Sequence, residues 1–190
     1  MQVNVRFTGV EMARARLAEV NRKVDPVLRG ALNTTATKVR TERYVKPLGS
    51  TLKAARTRSA LRVKRANSRR MESRIIPSSS GVLLQNYQTW GYDPISPTRA
   101  RLWVRGPRGQ KVAAGFVNPA SAQRLPWNTR NKRGRAAGKK AWEHRRLAMG
   151  PSAAYWFKQL TDTQTIRWTN TFLQQEFEKR IQREVAKGAR

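Results

Sequence analysis

Three observations predict an α+β fold with a mostly antiparallel sheet. Apolar residues recur every three to four positions towards both ends of the 190-residue chain, alternate with polar ones in short stretches between, and strand-like stretches lie both before and after helical ones. The first stretch, 2–8, places Val3, Val5 and Phe7 on one side and Gln2, Asn4 and Arg6 on the other, the period of a half-buried strand. From Glu11 the period changes. Leu17, Val20, Val24, Val27 and Ala31 fall on one helical face that continues through Thr35 to Val39. Asp25-Pro26 interrupts the stripe in the manner of a helix start, Asp25 as cap and Pro26 at the first helical position, which predicts helices over 10–24 and 26–44.

Pro47, Gly49 and Ser50 are expected to end that run, with Ser50 placed to cap a short helix over 51–58. Leu61 and Val63 alternate with Arg62 and Lys64 too briefly to separate helix from strand, and 71–77 reads as a strand around Arg74-Ile75-Ile76. Residues 78–98, with Gly81, Gly91, Pro94 and Pro97, read as loop. A hairpin follows: 99–105 alternates, Gly106-Pro107-Arg108-Gly109 turns, and 110–117 returns. After Pro151 a short helix is expected over 152–160. Ile166, Leu173, Phe177, Ile181 and Val185 then mark a long helix over 163–187 that stops near Gly188. The expected architecture is a small sheet from strands near 2–8, 71–77, 99–105 and 110–117, packed by the apolar stripes of the N-terminal helices and the long C-terminal helix, with extended basic loops.

Charge dominates the composition. Forty Lys and Arg stand against 11 Asp and Glu, for a formal net charge of +29. Self-repulsion on that scale points to a polyanion or an acidic protein surface as the natural counterpart. The length suits one domain, 1–190, and 38% hydrophobic residues promise a modest core, while six Trp, five Phe and four Tyr argue against a wholly disordered basic tail. With no Cys there are no disulfides, thiolate nucleophiles or cysteine-ligated metals. No apolar run approaches the length of a membrane span, and no signal peptide is visible, so an intracellular protein is expected.

Catalytic patterns are weak. Glu143 and the single histidine, His144, are sequence neighbours and point to different faces in either regular structure, which disfavours an acid–base pair; no second His exists to share a metal. Glu42, Glu72, Asp93, Glu143 and Asp162 are scattered, without the clustering that two-metal phosphoryl chemistry requires. The glycines around Pro107-Arg108 lack the Lys-Ser/Thr of a phosphate-binding loop. Neither a catalytic residue nor a cofactor is expected.

Two acid-free basic segments carry the strongest signal. Residues 43–71 hold ten Lys or Arg and residues 94–142 hold twelve, neither with an acid. Arg56, Arg58, Arg62, Lys64, Arg65, Arg69 and Arg70 in the first, and Arg130, Lys132, Arg133, Arg135, Lys139 and Lys140 in the second, are candidates for sequence-independent phosphate contact by counterion release. Trp103 alternates with Arg101 and Arg105 and is the aromatic best placed to stack on a base or a cation.

Several segments resemble the Z-type minor tail proteins, the tail-completion proteins of lambda-like long-tailed phages. They are Val24-Asp25-Pro26-Val27-Leu28-Arg29-Gly30-Ala31-Leu32-Asn33 running into 34–39, the basic link 52–66, Ala114-Gly115-Phe116-Val117, and Met149-Gly150-Pro151-Ser152-Ala153-Ala154 before a long polar helix. Length and basicity match as well, whereas 81–98 and 128–140 depart from the family pattern. The resemblance implies a non-enzymatic virion protein of the tail neck, assembled in the host cytoplasm onto the head-proximal end of the tail. Implied partners are further copies of the chain in a sixfold ring, the tail terminator, the head-completion or connector proteins, and the double-stranded DNA end, with no membrane. In such a ring Trp90, Trp103, Trp127, Trp156, Leu173 and Phe177 are candidates for subunit contacts. The alternative from another class is a sequence-independent nucleic-acid-binding module of ribosome- or nucleoid-associated type.

Overall fold

The computed structural model describes residues 9–19, 23–127 and 147–188, and it has the α+β class expected. The expected strand at 2–8 and the basic block at 128–140 lie outside the described residues, as do Glu143 and His144. The described residues gather into two compact units, one drawn from 1–45, 61–76 and 158–190, the other from 46–60 and 77–157.

The first unit is built on three helices. Helix α1 spans Val10–Glu19 and α2 spans Val24–Val39; the run continues as a π-helical segment, Arg40–Val45, and α6 spans Thr163–Gly188. Helix α2 begins two residues earlier than expected. Lys23, extended at φ −93°, precedes it without a side-chain cap, and Asp25 instead lies in the first turn, where a carboxylate favours the positive end of the helix dipole. The stripes read from the sequence are the core. Ala13 and Leu17 of α1, Val24, Val27 and Ala31 of α2, and Leu173, Phe177 and Ile181 of α6 form one buried cluster. Within that cluster the three stripes bury against one another. Asp162 Oδ1 accepts the Thr165 amide at 2.8 Å and caps the start of α6. Along α6, Arg180 Nε meets Glu176 at 2.7 Å and its Nη2 donates to Thr34 Oγ1 of α2 at 2.9 Å.

The same unit holds a two-stranded sheet, β1 Leu61–Lys64 with β2 Arg74–Pro77. The strand expected at 71–77 is therefore shorter and lies in a sheet separate from the 99–117 hairpin. Its first residues are diverted because Ser73 and Glu72 are engaged by neighbouring side chains, as set out below.

The second unit begins with a single helical turn, α3 Lys46–Leu48, so Pro47 falls inside the helical run. Ser50 Oγ donates to the Pro47 carbonyl at 3.0 Å and closes that turn instead of capping the next helix, α4 Ala54–Ala60. A five-stranded antiparallel sheet follows, ordered β3-β7-β6-β5-β4, from β3 Val82–Leu83, β4 Trp90–Ser96, β5 Arg99–Gly106, β6 Gly109–Val117 and β7 Met149–Gly150. The expected hairpin is β5–β6. The expected loop 78–98 instead contains β3, a short 3-10 turn over Leu84–Asn86, and β4. Strand β4 lies at the sheet edge, where a proline costs no ladder bond. Gly115, at φ +138°, forms a bulge in β6 where Arg101 pairs with Phe116 but Leu102 pairs with Ala113.

One face of this sheet, with Ala100, Leu102, Val104 and Ala113, is buried. Helix α5, Ala153–Leu160, carries Trp156, fully buried, whose indole Nε1 donates to the Tyr87 hydroxyl at 3.2 Å, while Tyr87 donates to the Pro151 carbonyl at 2.5 Å. Burial pushes the Tyr87 hydroxyl up to about 12 against the partial opposition of the Trp156 hydrogen bond. In the first unit, burial likewise raises Tyr44, which sits 3.1 Å from Thr161 Oγ1. A phenol whose folded value is raised stabilises the fold fully below its unfolded value of 10.0, and the contribution is lost as pH rises towards the folded value. Stability measured by urea denaturation should therefore fall between about pH 10 and pH 12, with a shallower decline in Tyr87→Phe.

Candidate nucleic-acid interface

Within the first unit, the described basic residues of 61–70 are gathered on one hairpin arm. On β1, Leu61 is buried while Arg62 and Lys64 are exposed, the alternation expected of a strand with one covered face. A tight turn over 67–70 links the strands. The Asn67 amide donates to the Arg70 carbonyl at 2.9 Å, and Asn67 Oδ1 accepts the amides of Arg69 and Arg70 at 3.1 and 2.9 Å. Arg65, Arg69 and Arg70 are exposed around that turn.

The arm is tied where its strands meet its turn by Asn33 of α2. Its Nδ2 donates to the Ala66 carbonyl at 3.1 Å and its Oδ1 accepts the Ala66 amide at 2.7 Å and the Ser73 hydroxyl at 2.6 Å. One side-chain amide thus pairs with both polar groups of a backbone unit, as a neighbouring strand would. This residue escaped sequence reasoning, since an asparagine within a helix and off its apolar stripe signals nothing about a partner thirty-three positions away.

Electrostatically the arm is one-sided. Glu72, the single acid in 61–77, is engaged by Arg74 at 2.8 Å and Arg70 at 3.3 Å. Arg62, Lys64, Arg65 and Arg69 have no ion pair among the described residues. Four exposed cations held on a short, tied hairpin match a phosphate backbone better than a buried site, since nothing must be desolvated before contact.

The remaining predicted residues fall elsewhere. Arg56 and Arg58 lie on α4 of the second unit; Arg58 is exposed, whereas Arg56 is half-buried with its Nε lacking a hydrogen-bond partner among the described residues. The six cations Arg130, Lys132, Arg133, Arg135, Lys139 and Lys140 lie outside the described residues. Three of the proposed interface residues are core: Trp156, Leu173 and Phe177 are each no more than 2% exposed, so none presents a side chain to another subunit. Packing claims such large apolar groups first in two small cores. Trp127 is half-buried and pairs with Phe116 and Leu147 through its backbone, and Trp90 is half-buried on β4 opposite Val104. Trp103 is half-buried on β5 between the exposed Arg101 and Arg105.

Among the described residues there is no group of three or more metal-ligating side chains and no helix long and apolar enough to cross a membrane. A comparison with protein families, curated proteins and solved structures finds no match for this chain.

Proposed function

We propose that this chain is a non-enzymatic phage virion protein that completes the head-proximal end of the tail, as a ring around the DNA channel that contacts the DNA end without reading its sequence. The observation that carries the DNA contact is the tied hairpin arm with Arg62, Lys64, Arg65 and Arg69 exposed and, among the described residues, without an acid paired to them. Groups of this type bind phosphate at any sequence, which suits contact with whatever end a genome presents. The tail setting rests on the sequence resemblance, and in a ring each copy would add its own arm to one cationic collar.

Replacing Arg62, Lys64, Arg65 and Arg69 together with Ser tests the contact. Each phosphate contact contributes a salt slope of about 0.9 to duplex binding, so the fourfold variant should lower the slope by about 3 to 4 while its unfolding transition is unchanged. Unchanged duplex affinity and slope would sink the arm as the DNA surface. The same cationic arm also favours a second reading, a free-standing nucleic-acid-binding module. Native mass separates the two: a sixfold assembly, alone or with the tail terminator protein, supports the ring, and a monomer binding duplex DNA unaided supports the module.

A further inference from the structure

We propose that the open face of the five-stranded sheet, centred on Trp103, is a stacking platform for the unpaired bases of a single-stranded nucleic acid. This surface belongs to the second unit and goes beyond the duplex contact assigned to the hairpin arm. Register sets out its layout. Gly91, Trp103 and Val112 lie directly across from one another on β4, β5 and β6; Asp93, Arg101 and Phe116 form the next row; Arg105 faces Gln110 in the row on the other side. Directly opposed residues point to the same face, which is the face away from buried Leu102 and Val104. Arg101, Arg105 and Val112 are exposed, Val112 at 59%, and Trp103 and Phe116 are half-buried.

The indole of Trp103 lies flat on the backbone of β4. A Cβ at Gly91 would stand 2.4 Å from its Cζ2, 2.8 Å from Cε2 and 2.9 Å from Cη2, so the absence of a side chain at Gly91 is what lets the ring settle there. The edge is fixed too, since Nε1 donates to Asp93 Oδ1 at 3.1 Å. A ring held from beneath and at its edge has lost most of its rotamer freedom before any ligand arrives, so stacking on its outer side costs little further order. Among the described residues no aromatic ring or cation stacks on that outer side.

Charge complementarity selects the occupant. Arg101 and Arg105 flank the ring two residues away on either side, about 6.7 Å along the strand. Neither has an ion pair among the described residues, and Asp93, the one acid on this face among them, already accepts the indole N–H. Cations on both sides of a flat aromatic surface fit a chain that alternates phosphates with planar rings. A duplex hides its base faces within the stack, and an acidic peptide would use the arginines while leaving the ring idle.

The test uses the full chain with two probes of equal length and charge, a ten-nucleotide oligo(dT) and an abasic strand, at one salt concentration. Oligo(dT) should bind about tenfold more tightly than the abasic strand, the size of one base–aromatic stack. Trp103→Ala should erase that preference and Trp103→Phe should keep most of it. The Ser variant of the hairpin arm should keep it as well, so failure of the arm and failure of the platform read differently. Equal binding of the two strands by the unaltered chain would overturn the proposal, as would a preference that survives Trp103→Ala or tighter binding of a poly-glutamate peptide than of oligo(dT). If Trp103→Ala does not fold, the two-strand comparison on the unaltered chain still decides.

Discussion

Phe177→Asp should leave the helical unit unfolded under conditions where the unaltered chain is folded. Phe177 is 2% exposed in the cluster where α1, α2 and α6 meet, which also holds Leu17, Val27, Ala31, Leu173 and Ile181. Removing a buried aromatic ring costs about 3–5 kcal/mol by itself. The carboxylate adds the cost of a buried charge with no partner, several kcal/mol more, or shifts its proton affinity at similar expense. Together these rival the entire stability of an ordinary domain, about 5–15 kcal/mol. Far-UV circular dichroism should show loss of helix, and Phe177→Leu, which keeps the apolar volume roughly in place, should retain it. Leu173→Asp should behave like Phe177→Asp, and native helicity in either Asp variant would refute the three-helix core.

Trp156→Ala should be the most damaging truncation in the second unit, lowering stability by about 3–5 kcal/mol in urea denaturation. Its indole is 1% exposed and gives a hydrogen bond to the Tyr87 hydroxyl. Truncation leaves a cavity and takes a donor from Tyr87, although Tyr87 keeps its own bond to the Pro151 carbonyl. Trp156→Phe fills most of the space without the N–H and should recover more than half of the loss. A Trp156→Ala effect below about 1 kcal/mol would mean the site collapses freely, contrary to the close packing seen around it.

Legibility from sequence followed the range of the interaction that shapes each element. The stripe from Leu173 through Ile181 and the alternation of Arg101, Trp103 and Arg105 report local periodicity, and both elements stand where that periodicity put them. Strand β4 is hidden because its glycine and its proline, with Pro97 just beyond, mimic a loop. Gly91 is there to receive a ring from β5, and Pro94 is tolerated because β4 is an edge; both reasons lie on other strands. The meeting of the α1, α2 and α6 stripes in one cluster is likewise beyond local periodicity, since a stripe declares that it must be buried but not against what. In the candidate interface, the cations of 62–70 were visible as a charge run, whereas their gathering on a tied arm depends on Asn33 and Ser73, which carry no charge signal.

Asn33 holds the hairpin where its strands meet its turn but has no hold on the turn beyond. Because its amide takes the place of a third strand at Ala66, inserting or removing matched residues within 67–72 should change the reach of the turn without moving the strands, by roughly 3.3 Å for each residue added to both sides. The reach of the turn, and with it the distance of Arg69 from Arg62 and Lys64, is therefore a quantity that can be adjusted independently of the helices that carry the hairpin.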